Sequence, residues 1–213
     1  PVMEADEAKR IADELGAIHK VIHVDELEGA GIKNNPVDRC YLCKKYMFTK
    51  VKELAHSLGI STILEGTNAD DLKQYRPGIK AIQELGLHSP LLEANMTKKE
   101  IRELAADYDL KAANKPSSPC LATRFPYHTL LNYEEMRKVE KIEDYLHACG
   151  FYNVRARIHN DLVRLEIDQD AFMKCMDYRQ EIVLFIKELG YDYVTLDLEG
   201  FRSGSQDIKL EEK

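Results

Sequence analysis

The sequence has 213 residues, 44% of them hydrophobic, and a formal net charge of -7 at pH 7. This length allows one large or two small domains with a buried core, and the acidic balance disfavours a protein that binds nucleic acid through a basic face. No stretch approaches about 18 consecutive apolar residues, so the sequence predicts no membrane span and no membrane partner. The acidic start has no apolar run behind it, so we expect no signal peptide, a cytoplasmic location and reduced cysteines.

The first part of the chain predicts alternating helices and strands. Apolar residues at helical spacing indicate a helix over residues 3–15, and an alternating run indicates a strand over Ile18–Val24. A second helix is predicted from Asp38 to about Leu58, and a short buried strand at residues 61–65. Such alternation is typical of an α/β layer with parallel strands.

Two loops are candidates for binding. The polar segment 66–78 follows a predicted strand, at the end where open parallel sheets bind ligands. Within it, Asp70 and Asp71 are able either to bind magnesium or to cap a turn. After a helix that begins with a capping box at Thr97, residues Asn114–Tyr127 form a long irregular stretch with three prolines, and loops of this length are usually functional or disordered.

From Asn132 the pattern changes to that of a small α+β domain, and we place the domain boundary near residues 126–131. The predicted elements are a helix to Cys149, an antiparallel pair of strands at 153–159 and 162–167, a helix over Asp170–Leu189 and a strand at 193–198.

Cys40 and Cys43 form a Cys-x-x-Cys motif in the first turns of a predicted helix, beside Arg39. The positive helix end and the arginine favour thiolate, which binds soft metals. The spacing alone fits metal or cluster binding about as well as a packed pair of cysteines or a simple dithiol, and it fits a thioredoxin-like redox motif less well.

Cys120 lies alone in the proline-flanked run KPSSPCLATRF, with Arg124 close behind. Positive charge near a loop thiol favours reactivity over a merely packed cysteine. Three thiolates are able to hold three corners of an iron–sulfur cube and leave the fourth iron available for chemistry. Cys149 and Cys175 lie on amphipathic helices, where packing is the simpler interpretation.

Arg155 and Arg157 alternate on one predicted strand and therefore point to the same face, as do Arg164 and Glu166 on the next. Two guanidinium groups on one face suit a phosphate or a carboxylate, but a cross-strand ion pair is an equally good interpretation. Arg202 adds a third candidate cation.

Five segments in register resemble the LarE family, ATP-dependent sulfur transferases of the PP-loop superfamily. They are NPVDRCYLCKK, EGTNADDLKQYRPG, SPLLEANMTKKEIRELA, KPSSPCLATRFPY and TLDLEGFRSGS. The likeness runs from about residue 1 to 206. It implies an α/β PP-loop domain with a parallel sheet over residues 1–128, followed by a small α+β substrate and sulfur-transfer domain over residues 129–213.

The resemblance implies an enzyme of nickel-pincer nucleotide cofactor biosynthesis. Such an enzyme uses ATP with magnesium to adenylylate a carboxylate on a pyridinium mononucleotide, then replaces the carboxylate oxygen with sulfur from sulfide or another sulfur donor. Some members sacrifice the sulfur of one cysteine, whereas others bind a 4Fe-4S cluster through three cysteines. Because the chain has Cys40, Cys43 and Cys120, it resembles the cluster type, and we expect a homo-oligomer.

Roles follow for individual residues. We expect Cys120, Arg124 and Glu166 to be catalytic, and Cys40, Cys43 and Cys120 to be metal ligands. The residues expected to bind ATP or substrate are Gly66, Asn68, Asp70, Thr123, Arg155, Arg157 and Arg202.

The family's glycine-rich SGGxDSS loop, which binds pyrophosphate through backbone amides, does not occur in the sequence. We therefore expect a preceding segment that supplies the first strand and this loop. Two alternatives stay open: a tRNA thiolase of the same superfamily, and a zinc-binding adaptor that uses the three cysteines and a fourth ligand such as histidine.

Overall fold

A computed structural model describes residues 2–73, 76–110, 113 and 119–206. The chain forms two compact units, Pro1–Lys115 and Pro116–Lys213. Part of the irregular stretch predicted at Asn114–Tyr127, residues 114–118, lies outside the described residues. None of the helices in the described ranges is long and apolar enough to cross a membrane.

The first unit is mainly helical where it is described. Its helices are α1 Val2–Glu14, α2 Glu26–Gly29, α3 Arg39–Ser57, α4 Gly78–Leu85, α5 Pro90–Glu93 and α6 Lys98–Asp107. Three of them, α1, α3 and α6, confirm the predicted helices to within a few residues. Helix α3 ends before Gly59, whose positive φ of 70° is a conformation that glycine adopts at little cost. Helix α6 begins with the predicted capping box of Thr97 and Glu100.

The two strands predicted in this unit, Ile18–Val24 and residues 61–65, do not form as strands in the part of the unit that the structure describes, so both predictions are wrong. Among the described residues, Ile18–Val24 has no hydrogen-bonded partner strand, and Ile18 is 88% exposed. Residues 61–65 contribute only a parallel bridge between Leu64 and His88, in which the Glu65 amide donates to the His88 carbonyl at 2.9 Å. A β-prone sequence becomes a strand only when a neighbour supplies the ladder. The mixed α/β character is confirmed, and the PP-loop parallel sheet stays a prediction.

The second unit builds a three-stranded sheet. Its elements are α7 Tyr133–Ala148, β1 Val154–His159, β2 Leu162–Ile167, α8 Phe172–Asp177, α9 Arg179–Glu188 and β3 Tyr193–Leu196. Strand β1 pairs antiparallel with β2, as predicted, and β2 pairs parallel with β3. The single helix predicted over Asp170–Leu189 is wrong: it is preceded by a 3-10 turn and broken at Tyr178, where φ and ψ are -88° and 5°.

The two faces of this sheet differ completely in chemistry. Because directly opposed residues share a face, the register places the buried Val154, Ala156 and Ile158 of β1 beside Ile167, Leu165 and Val163 of β2. Strands β1 and β3 contact α7 and α9, and the buried side chains of those helices include Val139, Ile142, Leu146, Ile182 and Ile186. The opposite face of the β1–β2 pair carries Arg155, Arg157, Arg164 and Glu166, and there the predicted site residues gather.

Candidate active site

Cys40 and Cys43 occupy the first turns of α3. Three residues apart on a helix, they lie on the same side of it. Neither forms a disulfide, and Cys40 is exposed whereas Cys43 is half-buried. Gly78, the first residue of α4, lies close to this turn: a methyl group built on it would stand 3.4 Å from the Cys40 carbonyl oxygen. The helix therefore presents two adjacent thiols, one of which is open to solvent.

The segment that contains Gly66, Asn68 and Asp70 is organised by Glu65, which the sequence did not single out. The Glu65 carboxylate accepts hydrogen bonds from the Thr67 amide at 3.1 Å and hydroxyl at 2.8 Å, and from the Ser89 hydroxyl. Burial works against its ionisation, but the hydrogen bonds from Ser89 and Thr67 prevail and lower the pKa of Glu65. The Glu65 carboxylate therefore holds the loop in place directly after the bridge at Leu64.

Asp70 caps a helix in this structure. Its Oδ2 accepts the amide of Lys98, at the start of α6, at 2.9 Å, and its Oδ1 lies 2.8 Å from Lys73 Nζ. The hydrogen bond from Lys73, then that from the Lys98 amide, lowers the pKa of Asp70. Asn68 Oδ1 in turn accepts the Asp70 amide at 3.0 Å. Asp70 therefore binds the first turn of α6 rather than capping the turn that follows it in the sequence, and a role in magnesium binding stays a prediction.

Cys120 stands at the start of a 3-10 helix over Leu121–Arg124 and is exposed. Its carbonyl oxygen accepts the Thr123 amide at 3.0 Å and the Thr123 hydroxyl at 2.8 Å. This short helix contacts α7 and β1, so the Cys120 segment belongs to the second unit. The sequence places the boundary later, near residues 126–131.

Arg124 is 2% exposed and forms a two-pronged ion pair with Glu143 of α7. Its Nε and Nη2 each donate to a Glu143 oxygen at 2.7 Å, while its Nη1 donates to the Pro119 carbonyl at 3.1 Å and to the Thr123 hydroxyl at 2.8 Å. Glu143 Oε1 also accepts the Ala156 amide of β1 at 2.9 Å. Arg124 therefore links the Cys120 turn to both α7 and β1.

Arg157 and Glu166 form the cross-strand ion pair that the sequence left open as an alternative. Arg157 Nε and Nη2 donate to the two Glu166 oxygens at 3.1 and 3.0 Å. The Ser205 hydroxyl lies 3.0 Å from both of those oxygens and accepts from Arg157 Nη2 at 2.6 Å. Arg157 Nη1 donates to the Thr123 carbonyl at 2.5 Å and to Gln206 Oε1 at 3.4 Å. Glu166 is completely buried.

Arg155 shares this face but has different surroundings. Its guanidinium lies 5.0 Å from the centre of the Phe201 ring, a cation–π distance, and its Nη1 donates to the Val154 carbonyl at 2.6 Å. Burial, followed by the nearby charge of Arg124, lowers the pKa of Arg155 to about 10. The group therefore stays positively charged at neutral pH.

Arg202 lies at the periphery of the same network. Its Nη2 is 3.5 Å from Asp197 and its Nη1 is 2.5 Å from Glu199. Asp197 also pairs with Arg164, whose Nη2 is 3.2 Å from Glu166. Arg202 forms part of the wall of an open cleft of about 800 Å³, whose lining also includes Phe201, Asp168 and Glu199.

The structure therefore brings six predicted residues into one connected group in the second unit: Cys120, Thr123, Arg124, Arg155, Arg157 and Glu166. Arg202 lies at the periphery of this group through Asp197, and the other predicted residues, Cys40, Cys43, Gly66, Asn68 and Asp70, belong to the first unit. Sequence reasoning missed Glu143, Ser205 and Gln206. Glu143 had a detectable signal, because its position falls on the apolar stripe that α7 forms with Val139, Ile142 and Leu146.

The cysteines suit an iron–sulfur cluster by the chemistry of their donors. Cys40, Cys43 and Cys120 form no disulfide, and thiolates are the usual ligands of such clusters. The described residues contain no group of three or more His, Cys, Asp or Glu side chains that could hold a metal ion. A three-cysteine cluster site with Cys40, Cys43 and Cys120 therefore stays a prediction.

Known proteins resemble the chain over most of its length, although no protein-family model matches it. An uncharacterized protein of Synechocystis sp. is 36% identical over 203 residues, which span 94% of this chain and 76% of that protein. An uncharacterized protein of Methanocaldococcus jannaschii is 33% identical over 184 residues, which span 86% of the chain and 70% of that protein.

A third relative has a named activity. The pyridinium-3,5-bisthiocarboxylic acid mononucleotide synthase of Lactiplantibacillus plantarum is 38% identical over 207 residues, which span 97% of this chain and 75% of the synthase. Identity at that level over nearly the whole chain confirms the resemblance seen in the five sequence segments. The chain belongs to the LarE family, the family of that synthase.

Proposed function

We propose that this protein is a sulfur transferase that converts carboxylates of a pyridinium mononucleotide into thiocarboxylates with the consumption of ATP, a step of nickel-pincer nucleotide biosynthesis. One observation carries the proposal: the 38% identity to the L. plantarum synthase, whose name specifies a bisthiocarboxylic product. The reduced thiols of Cys40, Cys43 and Cys120 and the buried arginine cluster supply chemistry that suits such a reaction.

The reaction needs activation because a carboxylate oxygen is a poor leaving group. Transfer of AMP from ATP to the carboxylate, with release of pyrophosphate, makes an acyl adenylate whose leaving group is AMP. A sulfur nucleophile then forms the C–S bond as the C–O bond to AMP breaks. We assign the loop with Gly66, Asn68 and Asp70 to the nucleotide and its magnesium, where the ion would replace Lys73 as the partner of Asp70.

We assign the three thiols to one centre. Cys40, Cys43 and Cys120 would hold a 4Fe-4S cluster, which when bound supplies an iron without a protein ligand at which sulfide can be held. The role of the chain's own residues is to deliver the activated carboxylate to this point. Proximity of this kind is worth several kcal/mol of the barrier in general.

The arginines of the sheet are suited to hold the substrate phosphate near Cys120. Arg157 donates to the carbonyl of Thr123, so its guanidinium contacts the short helix that directly follows Cys120. Its donors are engaged by Glu166, Thr123, Ser205 and Gln206, and the longest of those hydrogen bonds is to Gln206 at 3.4 Å. We infer that an arriving phosphate oxygen displaces Gln206 and leaves the ion pair with Glu166 intact.

The test is direct measurement of both half-reactions with the full-length protein prepared and reconstituted without oxygen. Pyridinium-3,5-dicarboxylic acid mononucleotide, ATP, magnesium and sulfide are supplied, and pyrophosphate and thiocarboxylate are quantified. Release of pyrophosphate that depends on the mononucleotide, with thiocarboxylate detected by mass spectrometry, supports the proposal. Absence of both products from an iron-loaded, folded protein overturns it.

Metal content and substrate choice separate the alternatives. One equivalent of zinc with neither iron nor acid-labile sulfide would favour a zinc-binding adaptor. Thiolation of tRNA in place of the mononucleotide would favour a tRNA thiolase, which the net charge of -7 argues against.

A further inference from the structure

We propose that Glu143 is a positioning residue for Cys120: through Arg124 it fixes the backbone turn that carries the reactive thiol. The role given to that thiol rests on the proposed function, whereas the coupling between Glu143 and the turn rests on geometry alone. Glu143 lies in the middle of α7, 23 residues after Cys120 in the sequence, which carries no motif that connects the two.

The first step is the anchoring of Glu143 itself. Its side chain is 9% exposed, and Oε1 accepts the Ala156 amide of β1 at 2.9 Å while both oxygens accept from Arg124 at 2.7 Å. On either side along α7, Ile142 and Leu146 are buried in the core. The carboxylate is therefore fixed by the helix on one side and by the sheet on the other.

The second step runs from Arg124 to the thiol-bearing turn. With Nε and Nη2 committed to Glu143, the planar guanidinium has its remaining nitrogen, Nη1, directed at the turn. Nη1 donates to the Pro119 carbonyl at 3.1 Å and to the Thr123 hydroxyl at 2.8 Å, and lies 3.4 Å from the Cys120 carbonyl. These three groups bracket Cys120, whose own side chain stays exposed.

The third step is that the turn has little regular structure of its own. The 3-10 helix over Leu121–Arg124 has four residues, and its start at Cys120 has no side-chain cap. Runs this short are marginal without tertiary contacts. The two Arg124–Glu143 hydrogen bonds also fix the plane of the guanidinium. A pairing with a single point charge would not fix that plane.

The experiment reads the turn directly, without the reaction. A nitroxide spin label is attached to Cys120 in a protein whose Cys40, Cys43 and Cys149 are replaced by serine, and its mobility is measured by electron paramagnetic resonance. Glu143→Gln, which keeps the side-chain volume and removes the charge, should make the label more mobile and so narrow its spectrum. Glu143→Asp, which keeps the charge, should restore part of the signal of the immobilised label. The matched control is Glu135→Gln, on the same helix, since Glu135 bonds to Tyr191 and Lys138 and not to the Cys120 turn.

The second readout separates positioning from folding in the assay of the proposed reaction. Glu143→Gln should keep pyrophosphate release but lower the thiocarboxylate formed per pyrophosphate by roughly tenfold or more, since a misplacement of about 1 Å can cost about 100-fold.

Two outcomes would overturn the inference. One is a spin-label spectrum that Glu143→Gln leaves unchanged while the melting temperature falls as it does in Glu135→Gln. The other is an equal change of the spectrum in both variants. If instead the spectrum responds as expected but no variant makes thiocarboxylate, the proposed function fails and the coupling stands.

Discussion

Cys40 and Cys43 lie on a regular 19-residue helix, whereas Cys120 lies on a short turn held by buried ion pairs. The first pair owes its spacing to hydrogen bonds between neighbours in sequence, so almost any stable helix would reproduce it. The position of Cys120 depends on Glu143, Arg157 and Glu166, which are far away in the chain. Thiols proposed to bind one cluster are therefore sensitive to different changes: Cys40 and Cys43 to loss of their helix, and Cys120 to loss of charged residues that are distant in the sequence.

The largest expected effect is loss of the cluster when a ligand is removed. Cys40→Ala, Cys43→Ala and Cys120→Ala should each abolish the intact 4Fe-4S centre, whereas Cys149→Ala and Cys175→Ala should retain it. Cys175 is buried on α8, and burial raises the pKa of its thiol, which disfavours the thiolate that a metal needs. Iron and acid-labile sulfide are measured after anaerobic reconstitution. Loss of the cluster in Cys175→Ala, with retention in Cys120→Ala, would refute the ligand assignment.

The next effect tests the network that holds Cys120. Arg157→Ala leaves Glu166 completely buried without its main partner, and breaking a buried pair in this way typically costs about 3–5 kcal/mol. We expect a loss of that size in the free energy of unfolding, measured with urea. The control is Arg179→Ala at an exposed position of α9, where the expected change is within about 0.5 kcal/mol. An equal loss of unfolding free energy in Arg157→Ala and Arg179→Ala would show that the Arg157–Glu166 ion pair does not stabilise the turn.

A smaller effect should follow from Tyr191, which bonds to α7 away from Cys120. Its hydroxyl donates to Glu135 at 2.7 Å, and burial followed by that hydrogen bond raises the pKa of Tyr191 above its ordinary value of 10.0. A raised acid pKa means that this contribution to stability is complete below pH 10 and is lost as the pH rises above it. Tyr191→Phe should cost about 1.5–3 kcal/mol at neutral pH and should reduce the decline in stability above about pH 10.

The measurement is urea unfolding at a series of pH values for the wild type and Tyr191→Phe. A decline above pH 10 that is just as steep in the variant would assign the alkaline sensitivity to other groups. The spin label at Cys120 should not respond to Tyr191→Phe, which distinguishes this contact from that of Glu143.

The smallest effect concerns local helix chemistry in the first unit. Thr97 Oγ1 accepts the Glu100 amide at 3.3 Å and donates to Glu100 Oε2 at 2.7 Å. Thr97→Ala should lower stability by about 1 kcal/mol, the usual value of an N-cap. Thr97→Ser, which keeps the acceptor, is the control. A loss as large as that of Arg157→Ala would mean that α6 depends on more than its cap.

The parts of the fold that depend on local signals were predictable. Helix α3 and its end at Gly59, the capping box at Thr97 and the antiparallel β1–β2 pair all follow from propensity, capping and alternation. The strand at Ile18–Val24 was not, because a strand depends on a partner that no local pattern specifies. The break at Tyr178 was also missed, since the apolar periodicity continues across it.

The candidate site shows the same division. Alternation predicted that Arg155 and Arg157 share a face of the sheet, and the structure confirms this. Alternation did not predict that the carboxylates of Glu166 and Glu143 accept so many of the guanidinium hydrogen bonds in the second unit. Those pairs join α7, β1, β2 and the Cys120 turn, and pairing between distant residues is not encoded in spacing. A charged residue on an apolar stripe, as at Glu143, is the local sequence signal of such a buried pair.

The hydrogen bond from Ala156 to Glu143 has a further consequence for association between molecules. Strand β1 lies at one edge of the sheet in the described residues, and an open edge invites a strand from another copy. At Ala156 the backbone amide already donates to the buried carboxylate of Glu143, so an incoming strand would have to displace that hydrogen bond to add itself there. The residue proposed to place the thiol therefore also guards this edge against aggregation, and we expect any homo-oligomer to assemble through another surface.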